Sequence, residues 1–229
     1  MSNAFLLRLI AALFKVLTWP FVRYEVRGGE VLGTRDGWIL SGNHRTVFDF
    51  VHAVIGLHHF GKDARILIAN EFFDNPVYGP AARAIAAIPV YRKTDPRGAF
   101  DAAVAALRAQ DNICIMPEGG MHWDARDPLK LGRFKTGVSR MAVGAGAPVL
   151  PLALVGGERL WPKGARWPRL TPFRRRTVVL RLADEPLWLS GDDHRANADK
   201  LREVQEALLR QATADLQALD PGYLPDVTP

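Results

Sequence analysis

Residues 4–22, AFLLRLIAALFKVLTWPFV, are apolar at nearly every position, and only Arg8 and Lys15 are charged. Those two stand seven apart and share one face of a helix. Two charges inside so short a segment weigh against a membrane span. The pattern fits a helix lying in a bilayer interface, with Arg8 and Lys15 toward headgroups and Trp19 near the boundary. A short or re-entrant span, and a helix packed on the protein's own core, are the other readings. No small-residue cleavage site of the usual kind follows, so a signal peptide is not expected. Turn signals at Gly28-Gly29 and Gly33 come next. Short apolar runs then recur at 37–41, 64–69, 88–91, 112–117, 148–154 and 177–184, each reading as a strand. Helical patterns lie between them: 49–60, a short Ala-rich stretch from near Pro76 to Ala87, Pro96 to Ala109, 136–145 and, last, the amphipathic 194–219. This alternation predicts an α/β fold, a mostly parallel sheet covered by helices on both faces, with an N-terminal apolar interfacial helix. Two units are expected, a membrane-associating helix over 1–23 and an α/β domain over 24–229. The tail after Leu219 reads as irregular. Ligands of such sheets bind beyond the carboxyl ends of the strands, which singles out 42–49, 91–95 and 118–122.

The 229 residues, 48% of them hydrophobic, are enough for one sizeable core without staples. Lys and Arg outnumber Asp and Glu by 30 to 24, which favours anionic partners: nucleic acid, anionic lipid or a phosphorylated substrate. The positive charge gathers in the connection 157–176, where Arg159, Lys163, Arg166, Arg169, Arg174, Arg175 and Arg176 alternate with Trp161, Trp167 and Phe173. Cys114 is the single cysteine and lies inside an apolar run. It reads as a core residue rather than a nucleophile, and no intrachain disulfide is possible.

His44 follows the first strand and a Gly-Asn turn, and Asp49 is five residues on. If the chain turns tightly into a helix, the carboxylate takes the proton of one imidazole nitrogen. The other nitrogen is then free to accept a proton from a hydroxyl. A helix cap beside a surface histidine is the bland alternative. Pro117-Glu118-Gly119-Gly120 follows a strand directly, so the backbone there can turn sharply and approach a ligand. Its amides could form an anion nest, and Glu118 could accept from a substrate hydroxyl. Arg133 and Lys135 add positive charge before the next helix. His52 reads as a satisfied packing residue, His58 and His59 as surface, and His194 as capping or surface; His122 lies near Glu118 as a lesser candidate. No grouping of His, Cys and acid resembles a metal site, so none is expected.

NHRTVFD (43–49), IPVYRK (88–93), PEGG (117–120) and PVLPLAL (148–154) occur in that order. With these motifs the chain resembles the lysophosphatidate or glycerolipid acyltransferase family over roughly residues 37–160. The resemblance implies an O-acyltransferase of phospholipid biosynthesis, with His44 as base and Asp49 as its orienter. It implies Arg92 as a contact for the acceptor's phosphate, and a site region around Pro151. It matches Glu118 and Gly119 of the third motif and the following FKTG. Gly120 and Met121 stand where the family usually has Thr and Arg, which removes a bidentate phosphate clamp. Arg92, Arg133 or Lys135 would have to compensate, or the acceptor is a non-glycerophosphate lipid or a polyol. The expected co-substrate is an acyl-coenzyme A or acyl-carrier-protein thioester, with no bound cofactor and no metal. Expected partners are that thioester, a lysophospholipid-like acceptor and, by peripheral or monotopic contact, the cytoplasmic face of the cell membrane. The connection 157–176 could serve headgroups or coenzyme A phosphates. A non-enzymatic anionic-surface or nucleic-acid binding module would explain 157–176 but not NHRTVFD or PEGG.

Overall fold

Strand β6 (Val149–Val155) is buried at every position, and its near-continuous apolar run is what a strand covered on both faces requires. In the computed structural model it sits mid-sheet. The order is β1-β7-β6-β2-β5-β3-β4, with β1 at Val22–Arg27, β2 at Ile39–Gly42, β3 at Arg65–Ala69, β4 at Ile88–Val90, β5 at Ile113–Ile115 and β7 at Arg176–Leu182. The structure describes residues 3–223 apart from 77, 93, 96, 123–126 and 128. Lys93, the helix-opening Pro96 and the tail from 224 lie outside the described residues. Pairs β2–β5, β2–β6, β3–β5, β3–β4 and β1–β7 are parallel, and β6–β7 is antiparallel. The sheet is therefore mostly parallel, as the alternation of patterns predicts.

Successive residues of each strand feed opposite faces. Ile39, Ile113, Val149 and Val179 join the core formed with α4 (Gly98–Arg108), α5 (Gly137–Ala145) and α6 (His194–Leu219). Their neighbours Leu40, Cys114, Leu150 and Leu180 pack with Leu57 of α2 (Phe48–His59) on the other side. Cys114 is buried, and burial pushes its thiol up to about 12, so it is a core residue without thiolate character. The short α3 (Tyr78–Ala84) closes over β3 and β4 through Ala82, with Ile85 and Ala87 just beyond it.

Helix α1 (Asn3–Thr18) stops before Trp19-Pro20, because the residue preceding a proline is pushed out of the helical region. Its inner face lies against the protein: Leu7 and Ala11 are buried, and the Phe14 ring meets Phe50 of α2 edge-on at 6.2 Å. Leu9, Leu13, Val16 and Leu17 form an exposed apolar stripe on the opposite face. No helix among the described residues is long and apolar enough to cross a membrane. Strand β1 follows α1 and ends just before the expected Gly28-Gly29 turn, where both glycines have positive φ, 64° and 86°. Val22-Arg-Tyr-Glu-Val-Arg27 alternates apolar and charged residues, the pattern of an edge strand paired on one side only.

His52 corrects an expectation. It is buried, but neither ring nitrogen hydrogen-bonds to any of the described residues, and its ring packs against Tyr24 at 5.8 Å. Burial drives its pKa down to about 3 from the ordinary 6.5, so the folded protein carries it neutral. The unfolded chain protonates it near neutrality and binds more protons than the folded state at lower pH. Stability is thus full above about pH 6.5 and falls toward pH 3, by about 1.4 kcal/mol per unit. Denaturant melts of His52→Phe between about pH 7 and 5 should show a shallower acid loss than the parent. Parallel curves would remove His52 as the cause.

Candidate active site

The carboxyl ends of β2, β4, β5 and β6 face one edge of the sheet, since all four run parallel through β2, β5 and β3. The three polar segments 42–49, 91–95 and 118–122 leave the sheet there. Asn43 continues the strand in side-chain form. Its Nδ2 donates to the Leu154 carbonyl at 2.9 Å and its Oδ1 accepts from Leu154 N at 2.8 Å. This fastens the turn after β2 to β6 and fixes where the next residue points.

That next residue is His44. Its Nδ1 lies 3.1 Å from Asp49 Oδ2. The same oxygen accepts the backbone N–H of Arg45 at 2.7 Å and of Thr46 at 2.9 Å. Three donors converge on one buried carboxylate oxygen, so the proton between imidazole and carboxylate belongs on Nδ1 and the lone pair is on Nε2. Asp49 can reach back because α2 begins at Phe48, which puts it in the first turn. The Thr46 hydroxyl donates to the Trp161 carbonyl and holds the turn from the other side. Gly157 lets this loop come close: a Cβ there would sit 3.0 Å from Thr46 Cγ2 and 3.6 Å from Asp49 Oδ1.

Glu118 occupies the centre of the edge, where its carboxylate accepts from two loops. Oε1 accepts from His44 N at 3.1 Å and Oε2 from Gly132 N at 2.8 Å. It joins the loop after β2, the loop after β5 and the segment before α5. Burial holds its carboxyl above the usual range, partly offset by those two amides and by the charges of His122 and Arg45. His122 N donates to the His44 carbonyl at 2.9 Å, so the 118–122 loop clasps His44 on both backbone groups.

Cations gather around the same loop. Arg92 Nη2 donates to the Gly119 carbonyl at 2.8 Å, and Lys163 Nζ to the Met121 carbonyl at 3.0 Å. Gly119 has a φ of 70° and lies under Lys135: a Cβ there would be 2.7 Å from Lys135 Nζ. The positive φ favours glycine here, while the Lys135 side chain that covers it is flexible enough to move. Gly120 is exposed, and no described residue lies within 4 Å of where its Cβ would stand. Arg133 is exposed as well, and its charge is felt at Asp199 on α6. Pro151 is buried in β6 beside Ser41. Among the described residues no three His, Cys, Asp or Glu side chains come together as a metal site. The structure thus gathers His44, Asp49, Arg92, Glu118, Gly119 and Lys135, and adds Asn43, Thr46, Gly157 and Lys163. The motif NHRTVFD contains Asn43 and Thr46, but their roles depend on β6 and Trp161, more than a hundred positions away.

The family model described as Acyltransferase matches residues 23–155, which is more than half of the chain. The chain belongs to the acyltransferase family. It is 31% identical to a 1-acyl-sn-glycerol-3-phosphate acyltransferase of Pseudomonas aeruginosa, a match spanning 86% of this chain and 72% of that protein. A chloroplastic enzyme of the same description from Brassica napus is 26% identical over 64% of this chain and 41% of its own length. The chain therefore spans about two fifths of that plant relative. The crystal structure of the 1-acyl-sn-glycerophosphate acyltransferase from Thermotoga maritima shares the fold, with a TM-score of 0.71, 22% identity, and coverage of 97% of this chain and 83% of that one. This acyltransferase-family chain carries the His-to-Asp turn on the loop after β2 and the first turn of α2.

Proposed function

We propose that the chain transfers a fatty acyl group from a coenzyme A or acyl-carrier-protein thioester to a hydroxyl of a lysophosphatidate-like acceptor. The observation that carries this reading is the His44–Asp49 pair, held at 3.1 Å at the carboxyl edge of the sheet with Nε2 left to act. Nε2 removes the acceptor's hydroxyl proton as the oxygen attacks the thioester carbonyl. The tetrahedral oxyanion is stabilised by hydrogen-bond donors, and its collapse breaks the carbon–sulfur bond. The thiolate leaves and takes the proton back from the imidazolium, so no acyl-enzyme is formed. Arg92, Lys135 and Lys163 surround the 119–121 loop and suit an acceptor phosphate. The similarity to the Pseudomonas aeruginosa protein named a 1-acyl-sn-glycerol-3-phosphate acyltransferase supports the same acceptor.

In this reading residues 24–229 form the catalytic unit. The exposed stripe Leu9, Leu13, Val16 and Leu17 of α1 rests on the cytoplasmic face of the cell membrane, where acceptor and product both reside. The contact is peripheral, since the inner face of α1 is occupied by α2.

A second acceptor class is kept by Gly120-Met121, which offers no side-chain cation. Thiol release with a panel of lysophosphatidate, uncharged lysolipids and polyols distinguishes the two. Arg92→Gln with Lys135→Gln should raise KM for the phosphate-bearing acceptor by about 10- to 100-fold and leave uncharged acceptors nearly unaffected. Faster turnover of uncharged acceptors by the parent would instead assign a non-glycerophosphate lipid or polyol.

A further inference from the structure

Between β6 and β7 the chain makes a long excursion whose composition no catalytic role absorbs. KGARWPRLTPFRRR (163–176) contains six Lys or Arg and no Asp or Glu. Its large apolar side chains point outward: Trp167 is 71% exposed and Phe173 83%, with Leu170 exposed between them. Phe173 adopts a φ of 63°, a left-handed conformation that a bulky residue rarely takes, while its ring stands in solvent. The excursion is ordered rather than slack. Trp161 Nε1 donates to Ala165 O at 2.9 Å, and Arg169 N to Leu160 O at 2.7 Å.

Its far end is tied to the end of α1. Phe173 N donates to Pro20 O at 2.9 Å, Arg176 N to Phe21 O at 2.8 Å, and the Arg175 guanidinium lies over the Trp19 ring at 5.2 Å. Topology explains the meeting. β7 is antiparallel to β6, so it starts where β6 ends, and β1 starts beside it with Val22 opposite Arg176. The exposed Trp19 at the end of α1, the excursion and the His44 loop therefore share one edge of the sheet. The near end of the excursion touches that loop through the Trp161 carbonyl and Thr46.

We propose that residues 166–174 are a second membrane anchor, one that selects bilayers rich in anionic phospholipid. Trp167, Leu170 and Phe173 enter the headgroup boundary, where aromatic rings with polar surroundings are favoured. Arg166, Arg169 and Arg174, interleaved with them, meet the lipid phosphates and the negative surface potential. The complementarity of an acid-free cationic strip, and its continuity with the apolar stripe of α1, favour a lipid surface over nucleic acid or an acidic carrier protein. The arrangement would hold the edge that carries His44 against the bilayer. The proposal rests on the membrane-surface reading of α1 and gives that surface its lipid preference.

The test is binding of the full chain to vesicles of phosphatidylcholine alone and of phosphatidylcholine mixed with phosphatidylglycerol. The parent should prefer the mixed vesicles, and added salt should erase the preference. Arg166→Gln with Arg169→Gln and Arg174→Gln should lose on the order of 100-fold in affinity for the mixed vesicles and little for the neutral ones. Trp167→Ser with Phe173→Ser should weaken binding to both. Each variant should keep acyl transfer to detergent-dispersed lysolipid, which also checks that it folds. A parent that binds both vesicles equally overturns the proposal. So does an arginine variant that binds mixed vesicles like the parent, or one that loses only binding to nucleic acid or acyl carrier protein. Leu13→Ser with Leu17→Ser reports on α1 separately: unchanged binding to neutral vesicles would remove α1 as an anchor while the arginine comparison still stands or falls alone.

Discussion

His44→Ala should lower the rate of thioester-dependent acyl transfer by about 100- to 10,000-fold, the range that general-base catalysis contributes. The protein should remain folded. The imidazole is only partly buried, with a quarter of its side chain exposed, and its one described polar contact is Asp49. The backbone anchors of the loop survive the change: His44 N still donates to Glu118, and its carbonyl still accepts from His122. Loss in kcat with an unchanged thermal midpoint is therefore the expected signature, measured by thiol release with saturating acceptor. Near-normal turnover would refute the assigned base.

Asp49 should separate into two effects when it is replaced in two ways. In Asp49→Asn, the N–H groups of Arg45 and Thr46 demand an oxygen at the position of Oδ2, so they orient the amide. That oxygen can still accept from His44 Nδ1, and the tautomer is retained. What disappears is the negative charge that steadies the imidazolium as the proton arrives, for a loss of about 10- to 1,000-fold in kcat. Asp49→Ala leaves both backbone donors buried and unpaired as well, at about 1–3 kcal/mol each, so stability should fall together with activity. Denaturant midpoints measured beside kcat discriminate the outcomes. An Asn variant with full activity would take the carboxylate charge out of the mechanism, and an Ala variant as stable as the parent would contradict the three-donor geometry.

Both predictions concern a turn whose residues the sequence singled out and whose hydrogen bonds only the structure shows. The five-residue interval from His44 to Asp49 is local, so a strand, a turn and a helix start suffice to bring the two together. Glu118 shows the opposite case. Its motif marks it as a possible partner of substrate, but does not reveal that its oxygens each accept from a backbone amide in loops 74 and 14 residues away. Arg133 and Lys135 are two apart in one loop, and only Lys135 lies over Gly119 while the charge of Arg133 is felt at Asp199.

By itself the chain's pattern determined the class of the fold. Buried parallel strands must be apolar throughout, and the covering helices must repeat every three to four residues, so both kinds of element announce themselves locally. It also singled out His44 and Asp49, which the structure places 3.1 Å apart, and marked the loops beyond the strands as the expected place for ligands. Tertiary structure alone decided that β1 is an edge strand beside β7, that His52 is buried with no hydrogen-bond partner among the described residues, and that Asn43 and Thr46 lock the His44–Asp49 turn. It alone laid Lys163 against the loop after β5 and the 163–176 excursion against the end of α1. The reason is common to all of these. A hydrogen bond or a close approach between residues a hundred positions apart depends on strand order and direction, and neither leaves a mark on the residues nearby.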